Sequence, residues 1–396
     1  MVPMNQEAQR GEDSLLDLRD QFPILETSTY LISNSLGAMP HGAREALASY
    51  ADSWEEHGVR AWEDPWWNLP GRVSTAIGRI LGAPEDSISL HQNVTLASAT
   101  VASCFDFAGP RNGIVCSELN FPSVVHLYQA QERRGARLNL VESPDGFTVP
   151  LDRMLEAIDE TTLLVPISHV IFRSSYVQDV EAIVARAHEV GALVVLDVYQ
   201  SAGIMPLDVE ALGVDFAVGG TLKWLCGGPG VACLYASPVM QETCRPAITG
   251  WFGRNEPFAF DPRDDSYAAG ASRFATGTTN VPSLSAAVAG AEIVAALDLE
   301  EVRSKSVRQT QRLIEMCLAE GWTVNSPTDA STRAGHVTVD MPDAEATSRA
   351  LLERRVMIDY RPGAGIRLAP HSYTLDGEVD EAVSAIREIQ TGLRTA

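Results

Sequence analysis

Two lysines, Lys223 and Lys305, stand among the 30 basic residues of this 396-residue chain, and all the others are arginine. A composition that uses lysine so sparingly points to the one task arginine cannot perform, which is to lose a proton and attack a carbonyl as a free amine. Lys305 lies in the charged helical run EEVRSKSVRQTQR and reads as a solvated side chain. Lys223 follows the apolar, glycine-punctuated stretch DFAVGGT and precedes Trp224, Leu225 and a GGPG turn. Such surroundings depress an amine's pKa and favour a Schiff base. Spacing alone also allows an ordinary lysine at a strand end.

Asp197 closes the apolar run at residues 192–196, which reads as a buried parallel strand after a helix over residues 180–190. An acid at the carboxyl end of such a strand faces the crevice where open α/β sheets bind ligands. A buried carboxylate there needs a cationic partner, although a helix N-cap or a structural ion pair would also account for it. Asp197 and Lys223 on neighbouring strands suit pyridoxal phosphate (PLP), the acid holding the ring nitrogen protonated and the lysine carrying the aldehyde.

The stretch DVYQSAGIMPLDVEALGVDFAVGGTLKWLCGGPG resembles the cofactor-lysine region of PLP enzymes of fold type I, in the class V aminotransferase superfamily, most closely its kynureninase-like and cysteine desulfurase-like branch. The resemblance runs from YLISNSLGAMP to the C-terminal GIRLAP. It implies an α/β fold, with a mainly parallel seven-stranded sheet sandwiched by helices in a large domain and a smaller α+β C-terminal domain. The corresponding division is an N-terminal segment at 1–40, a PLP-binding domain at 41–285 and a small domain at 286–396. The resemblance also implies a homodimer with active sites at its interface.

Residue by residue, the resemblance implies that Asn34 and Ser35, in a loop with Gly37, lie near the substrate carboxylate. Asn93, Val94 and Thr95 would hold the cofactor phosphate at a helix N-terminus, and Phe121 would stack on its ring. Ser168 and His169 would lie over the ring face, with Tyr199 and Gln200 beside Asp197. Trp251, in ITGWFGRNEPFAF, would point toward the substrate pocket. Thr278 and Thr279, in SRFATGTTNVPSL, would meet the cofactor phosphate of a neighbouring chain. Arg367, whose planar fork suits bidentate capture of a carboxylate, would bind the α-carboxylate of an amino-acid substrate. Each segment also has a plainer reading: SNSLG as a turn, Asn93 or Thr95 as a helix cap, Phe121 as a staple before a helix, Arg367 as a surface ion pair.

The elements that must position these residues alternate in parallel α/β rhythm. Helices read at residues 40–57 and 69–81, and Trp62, Trp66 and Trp67 between them are costly to leave in water. They read as packing at a pocket rim or subunit interface. Strand, turn, helix and strand follow through NGIVCSELNFPSVVHLYQAQERRGARLNLV, then strands at 163–167 and 230–235. One long helix from Ser283 leads into an α+β cap with strands at 335–341, 357–360 and 366–369. Residues 1–20 read as a polar lead-in.

The formal charge of −22 argues against nucleic acid or an anionic membrane as partner. No apolar run reaches the length of a membrane span, so a soluble cytoplasmic protein is expected. Six cysteines without a CxxC pair read as reduced thiols, and eight histidines without HExxH suggest no metal site. Kynureninases carry His at the third position after the cofactor Asp and Tyr before the Lys, where this chain has Gln200 and Leu222. That departure argues against kynurenine itself as substrate. Cysteine desulfurases need a mobile cysteine before the final strands, and residues 333–366 contain none. The expected activity is bond cleavage at Cβ of an L-α-amino acid, by carbon-sulfur β-elimination or kynureninase-like cleavage. A transaminase or a decarboxylating oxidative deaminase is the alternative. A non-enzymatic PLP scaffold is disfavoured because Lys223 and Asp197 are both present.

Overall fold

Alternating apolar strands and helices between residues 88 and 236 become one seven-stranded sheet in the computed structural model, which describes residues 13–395. Ahead of that sheet comes a 3-10 helix, Ser14–Gln21, capped by the Asp13 carboxylate on the Leu15 N–H. Leu15, Leu16 and Arg19 are buried, and Arg19 makes a two-point ion pair with Glu378 at 2.7 and 2.9 Å. The part of the expected polar lead-in from residue 13 is therefore docked, because two leucines and one arginine find partners. Residues 1–12 lie outside the described residues.

The chain continues through β1 (Thr29–Tyr30), α1 (His41–His57) and α2 (Asn68–Leu81). Then come β2 (Ile88–His91), α3 (Val94–Ala102), β3 (Gly113–Ser117), α4 (Pro122–Ala130), β4 (Arg137–Val141) and α5 (Leu151–Ala157). After them follow β5 (Thr162–Ser168), α6 (Val180–Glu189), β6 (Leu193–Asp197), β7 (Phe216–Gly220) and β8 (Ala232–Ala236). The strand order is β2-β8-β7-β6-β5-β3-β4, and only β8 runs against its neighbours. Alternation along β6 sends Val194 and Leu196 to one apolar core and Val195 to the other, so both faces are covered. Because β2 and β7 both pair antiparallel with β8, His91 and Gly220 each stand opposite Ala232. The carboxyl ends of β2, β7, β6, β5 and β3 consequently open on one edge of the sheet.

α7 (Pro238–Thr243) precedes α8 (Val281–Ala295), which packs on α1 and α2, and α9 (Leu299–Ala319) follows after an 86° bend. The single long helix expected from Ser283 is thus two. Asp298 starts the second by accepting from the N–H groups of Glu300 and Glu301, a standard N-cap. Beyond it lie β9 (Thr323–Val324), β10 (Val337–Asp340), α10 (Ala344–Glu353), β11 (Val356–Met357), β12 (Asp359–Arg361), β13 (Gly365–Leu368) and α11 (Asp376–Thr395). Four of these strands form an antiparallel sheet in the order β12-β13-β10-β9, over a core of its own. Among the described residues no single helix is long and apolar enough to cross a membrane.

The segment after β1 joins the two sheets. β1 pairs with β11, Ile32 bridges to Ala369, and the Gly37 N–H donates to the Leu222 carbonyl at 2.9 Å. A Cβ on Gly37 would lie 2.1 Å from the Lys223 carbonyl oxygen, so this strap approaches the lysine loop only as glycine.

Lys305, expected in solvent, is buried. Its Nζ donates to the Ser372 carbonyl at 2.6 Å and pairs with Asp13 at 2.8 Å. The charged run misleads because the face of α9 bearing Val302, Lys305, Gln309 and Leu313 turns inward. Lys305→Met keeps the length of the side chain and leaves Asp13 without its cation. The expected loss is about 3 kcal/mol, as for one partner of a buried pair, read as a lower urea midpoint.

Candidate active site

Five loops leave the carboxyl edge of the large sheet at the level of Asp197, which pairs in register with Ser168 on β5 and Val218 on β7. β7 runs on into Thr221, Leu222 and Lys223, β5 into His169, β3 toward Phe121, and β2 toward Asn93. Asn93 caps α3, its side-chain oxygen accepting from the Leu96 N–H at 3.0 Å. The first-turn N–H groups of Val94 and Thr95 have no partner within the helix and sit at its positive end, a seat for a phosphate.

The Lys223 amine lies 4.4 Å from the centroid of the Tyr199 ring and 5.7 Å from that of Phe121. Phe121 in turn meets Phe172 edge-on at 5.2 Å. Gly220 lets the Tyr199 ring lie against β7, since a Cβ there would sit 2.7 Å from the Tyr199 hydroxyl. Burial lowers Lys223 from 10.5 to about 8; the Asp197 charge opposes that shift, and Arg367 and Arg361 add to it. Burial likewise raises Asp197, against a 2.9 Å hydrogen bond from the Tyr199 N–H and the charge of Lys223. His169 donates its backbone N–H to the Asp197 carbonyl at 2.9 Å. Burial pulls its imidazole down to about 4, so the ring is neutral, and Nδ1 has no partner.

This donor set fits PLP. A buried acid with one hydrogen bond awaits a cationic ring nitrogen, a depressed amine awaits an aldehyde, and the Phe121 ring stands beside that amine. Both amide atoms of Asn34, on the strap that meets the lysine loop, and Nδ1 of His169, after the strand beside Asp197, are buried without a partner.

The carboxylate corner differs from expectation. Arg367 is not an open fork: its Nε donates to Asp359 at 2.8 Å, and Nη2 donates to the other oxygen of the same carboxylate. Nη1 donates to the Phe172 carbonyl at 2.8 Å, and Nη2 also donates to Ser35 at 2.7 Å. Arg361 pairs with Asp359 too, at 2.9 Å. Burial acts to raise Asp359, but the Arg367 hydrogen bond and charge, with Ser35 and Arg361, hold it below its usual value. Sequence reading missed Asp359. The signal is that Asp359 stands opposite Arg367 in the β12–β13 register, an acid facing a buried arginine across two strands.

Gln200, expected against the cofactor, has both polar ends engaged by protein. Its amide N–H donates to the Asn34 carbonyl at 3.0 Å, and its oxygen accepts from the Trp224 indole at 3.3 Å. It braces the strap that carries Asn34 against the residue after Lys223. Trp251, expected toward the substrate pocket, lies in an aromatic cluster with Phe252 at 3.9 Å, Phe258 at 5.5 Å and Phe260 at 5.8 Å. Thr278 and Thr279 line a separate groove of about 990 Å³ with Trp67, Gln92, Leu96 and Phe252, and neither Lys223 nor Asp197 borders it. Of the three crowded tryptophans, Trp66 is core and Trp67 is rim.

The neutral amine is the nucleophile, so a depressed pKa brings Lys223 into its reactive form at lower pH. Reaction of the cofactor-free protein with an aldehyde probe should rise with pH and level off above about 8. A rise continuing toward roughly 10.4, as for an ordinary lysine, would contradict the burial described.

Residues 46–367 match the model of the family described as Aminotransferase class-V. The chain is 32% identical over 395 residues to a kynureninase of Pseudomonas fluorescens, a match covering 96% of this chain and 93% of that one. To a kynureninase of Bacillus anthracis it is 30% identical over 393 residues, covering 95% and 92%. Among solved structures it superposes with a TM-score of 0.83 on a C-DES mutant with glycine covalently linked to the PLP cofactor. That match is 22% identical and covers 93% of this chain and 98% of the other, a likeness of fold. With the family's pattern spanning both sheets and the kynureninase likeness running nearly end to end, this chain belongs to the aminotransferase class-V family, in its kynureninase-like branch.

Proposed function

We propose that this protein is a PLP-dependent enzyme that cleaves a bond at Cβ of an L-α-amino acid, working as a cytoplasmic homodimer. One observation carries the reading: the half-buried Lys223 has its amine lowered to about 8, near the buried Asp197 carboxylate and within 4.4 and 5.7 Å of two aromatic rings. Bound there, PLP supplies an electron sink for charge developing at Cα. Asp197 would hold the ring nitrogen, and a cation there would offset the burial that raises its pKa. Lys223 would hold the aldehyde end, and its free amine would take the Cα proton as a base. The Tyr199 and Phe121 rings flank the amine at 4.4 and 5.7 Å. Asn34, Ser35 and Arg367 bind the α-carboxylate, for which Asp359 must yield part of its hold on the guanidinium.

The kynureninase relatives favour cleavage between Cβ and Cγ. Gln200 and Leu222, however, stand where kynureninases carry His and Tyr, so the proposed substrate is an amino acid other than kynurenine. The same two positions support a second reading, carbon-sulfur β-elimination, which needs only a thiolate leaving group. The dimer is supported by Thr278 and Thr279, which line a groove apart from their own Lys223 and are free to serve a neighbouring chain. The six free thiols suit a reducing compartment.

Incubating the holoenzyme with kynurenine, cysteine S-conjugates and plain amino acids, followed by mass spectrometry, tests the proposal. Alanine or pyruvate should form in step with loss of one substrate. Transfer of the amino group to a keto acid, with neither product, would replace cleavage by transamination. Gln200→Ala, which frees the Asn34 strap, should raise KM by roughly 10- to 100-fold and change kcat less; unchanged KM would remove Gln200 from the positioning of substrate.

A further inference from the structure

One carboxylate stands between two arginines where the smaller sheet meets the strap. Asp359 and Arg361 lie two residues apart on β12 and so share a face of it, and Arg367 stands opposite Asp359 on β13. Asp359 fills the Nε–Nη2 edge of Arg367 in the two-point manner in which an arginine takes any carboxylate. Ser35 ties the pair to the strap, its hydroxyl donating to Asp359 at 2.7 Å while it accepts from Arg367 at 2.7 Å. With the Phe172 carbonyl on Nη1, four of the five N–H groups of Arg367 are engaged.

Arg361 is engaged on one side only. Its Nη2 pairs with Asp359 at 2.9 Å, but its Nε is buried without a partner. Opposite Arg361 in the register stands Gly365, which brings no competing side chain. A Cβ there would lie 2.2 Å from the Val339 carbonyl oxygen, so that position stays bare. A buried donor left unpaired is destabilising. By turning onto Nε as well, the carboxylate that Nη2 already holds would complete on Arg361 the same two-point pair it makes with Arg367.

Charge points the same way. Two guanidiniums share one carboxylate, and among the described residues neither has a second acid as its partner. The corner is therefore one negative charge short, beside an Arg367 side chain that is 1% exposed. Excess charge in such a place is unfavourable unless it is paired. An amino acid brings one carboxylate, and two carboxylates balance two arginines.

We propose that the α-carboxylate enters by exchange: it takes the Nε–Nη2 edge of Arg367 while Asp359 passes to the same edge of Arg361, which makes Arg361 a positioning residue for substrate. The inference rests on the reading of Arg367 as the carboxylate site, given under the proposed function.

Dissociation constants of L-alanine and of ethylamine, the same amine without its carboxylate, can be measured on the holoenzyme from the cofactor's visible absorption. The wild-type protein should bind L-alanine roughly tenfold or more tighter, as for a hydrogen-bonded charged pair. In Arg361→Gln, Asp359 has no second arginine and keeps Arg367, so L-alanine should lose roughly tenfold while ethylamine stays within about twofold. In an Asp359→Asn background no carboxylate is left to move, and adding Arg361→Gln should change L-alanine binding by less than about twofold. An equal loss in both backgrounds means that Arg361 attracts the carboxylate directly and overturns the exchange, as does an undiminished preference in Arg361→Gln. A crystal structure of the wild-type holoenzyme with L-alanine makes the same test without a variant. Asp359 should bond to Nε of Arg361; an Asp359 still spanning Nε and Nη2 of Arg367 overturns the proposal. If the wild-type protein binds L-alanine no tighter than ethylamine, the reading of Arg367 fails and the exchange falls with it.

Discussion

Drawing the Lys223 amine partly out of water is the constraint to which the rest of the structure answers. An ammonium group resists leaving water, and the protein tolerates the amine inside only by lowering its pKa and setting Asp197 near it. Neither sheet could do this alone. The large sheet supplies Lys223, Asp197 and the two aromatic rings, while Arg367 and Asp359 arrive from strands of the smaller sheet. The strap after β1 closes the space between them, and the bare face of Gly37 sets how closely it can lie against the lysine loop.

The second lysine takes part in the same construction. Lys305 donates to the Ser372 carbonyl at 2.6 Å, and the Ser372 N–H donates to His371 Nδ1 at 2.7 Å. That bond leaves the His371 proton on Nε2, which donates to the Trp224 carbonyl at 2.7 Å. Burial keeps His371 neutral, pulled down to about 4, so the tautomer is settled by its two partners. Both lysines of the chain therefore bear on one wall: one carries the amine with the lowered pKa, and the other anchors the backbone just behind it. Gln200 joins that wall from the opposite side, through the Trp224 indole. In this structure Gln200 is part of the scaffold.

What could be read from residue order was mainly local and periodic. The apolar run before Asp197, the capped helix at Asn93 and the alternation through the parallel strands follow from patterns of period two or 3.6, and the sheet bears them out. Contacts made over long separations were not legible. Lys305 reads as solvated because its neighbours are charged, yet its face of α9 meets residues 67 positions later in the chain and Asp13 far before it. Arg367 reads as a free fork because nothing local shows that Asp359, in the neighbouring strand, claims it.

The claim beneath all of this is that the amine of Lys223 is the covalent attachment point of the cofactor. Reducing the holoenzyme with borohydride, digesting it and mapping the pyridoxyl label by mass spectrometry tests that claim directly. The structure predicts one label, on the peptide containing Lys223. A label on Lys305, or on no peptide, would contradict it.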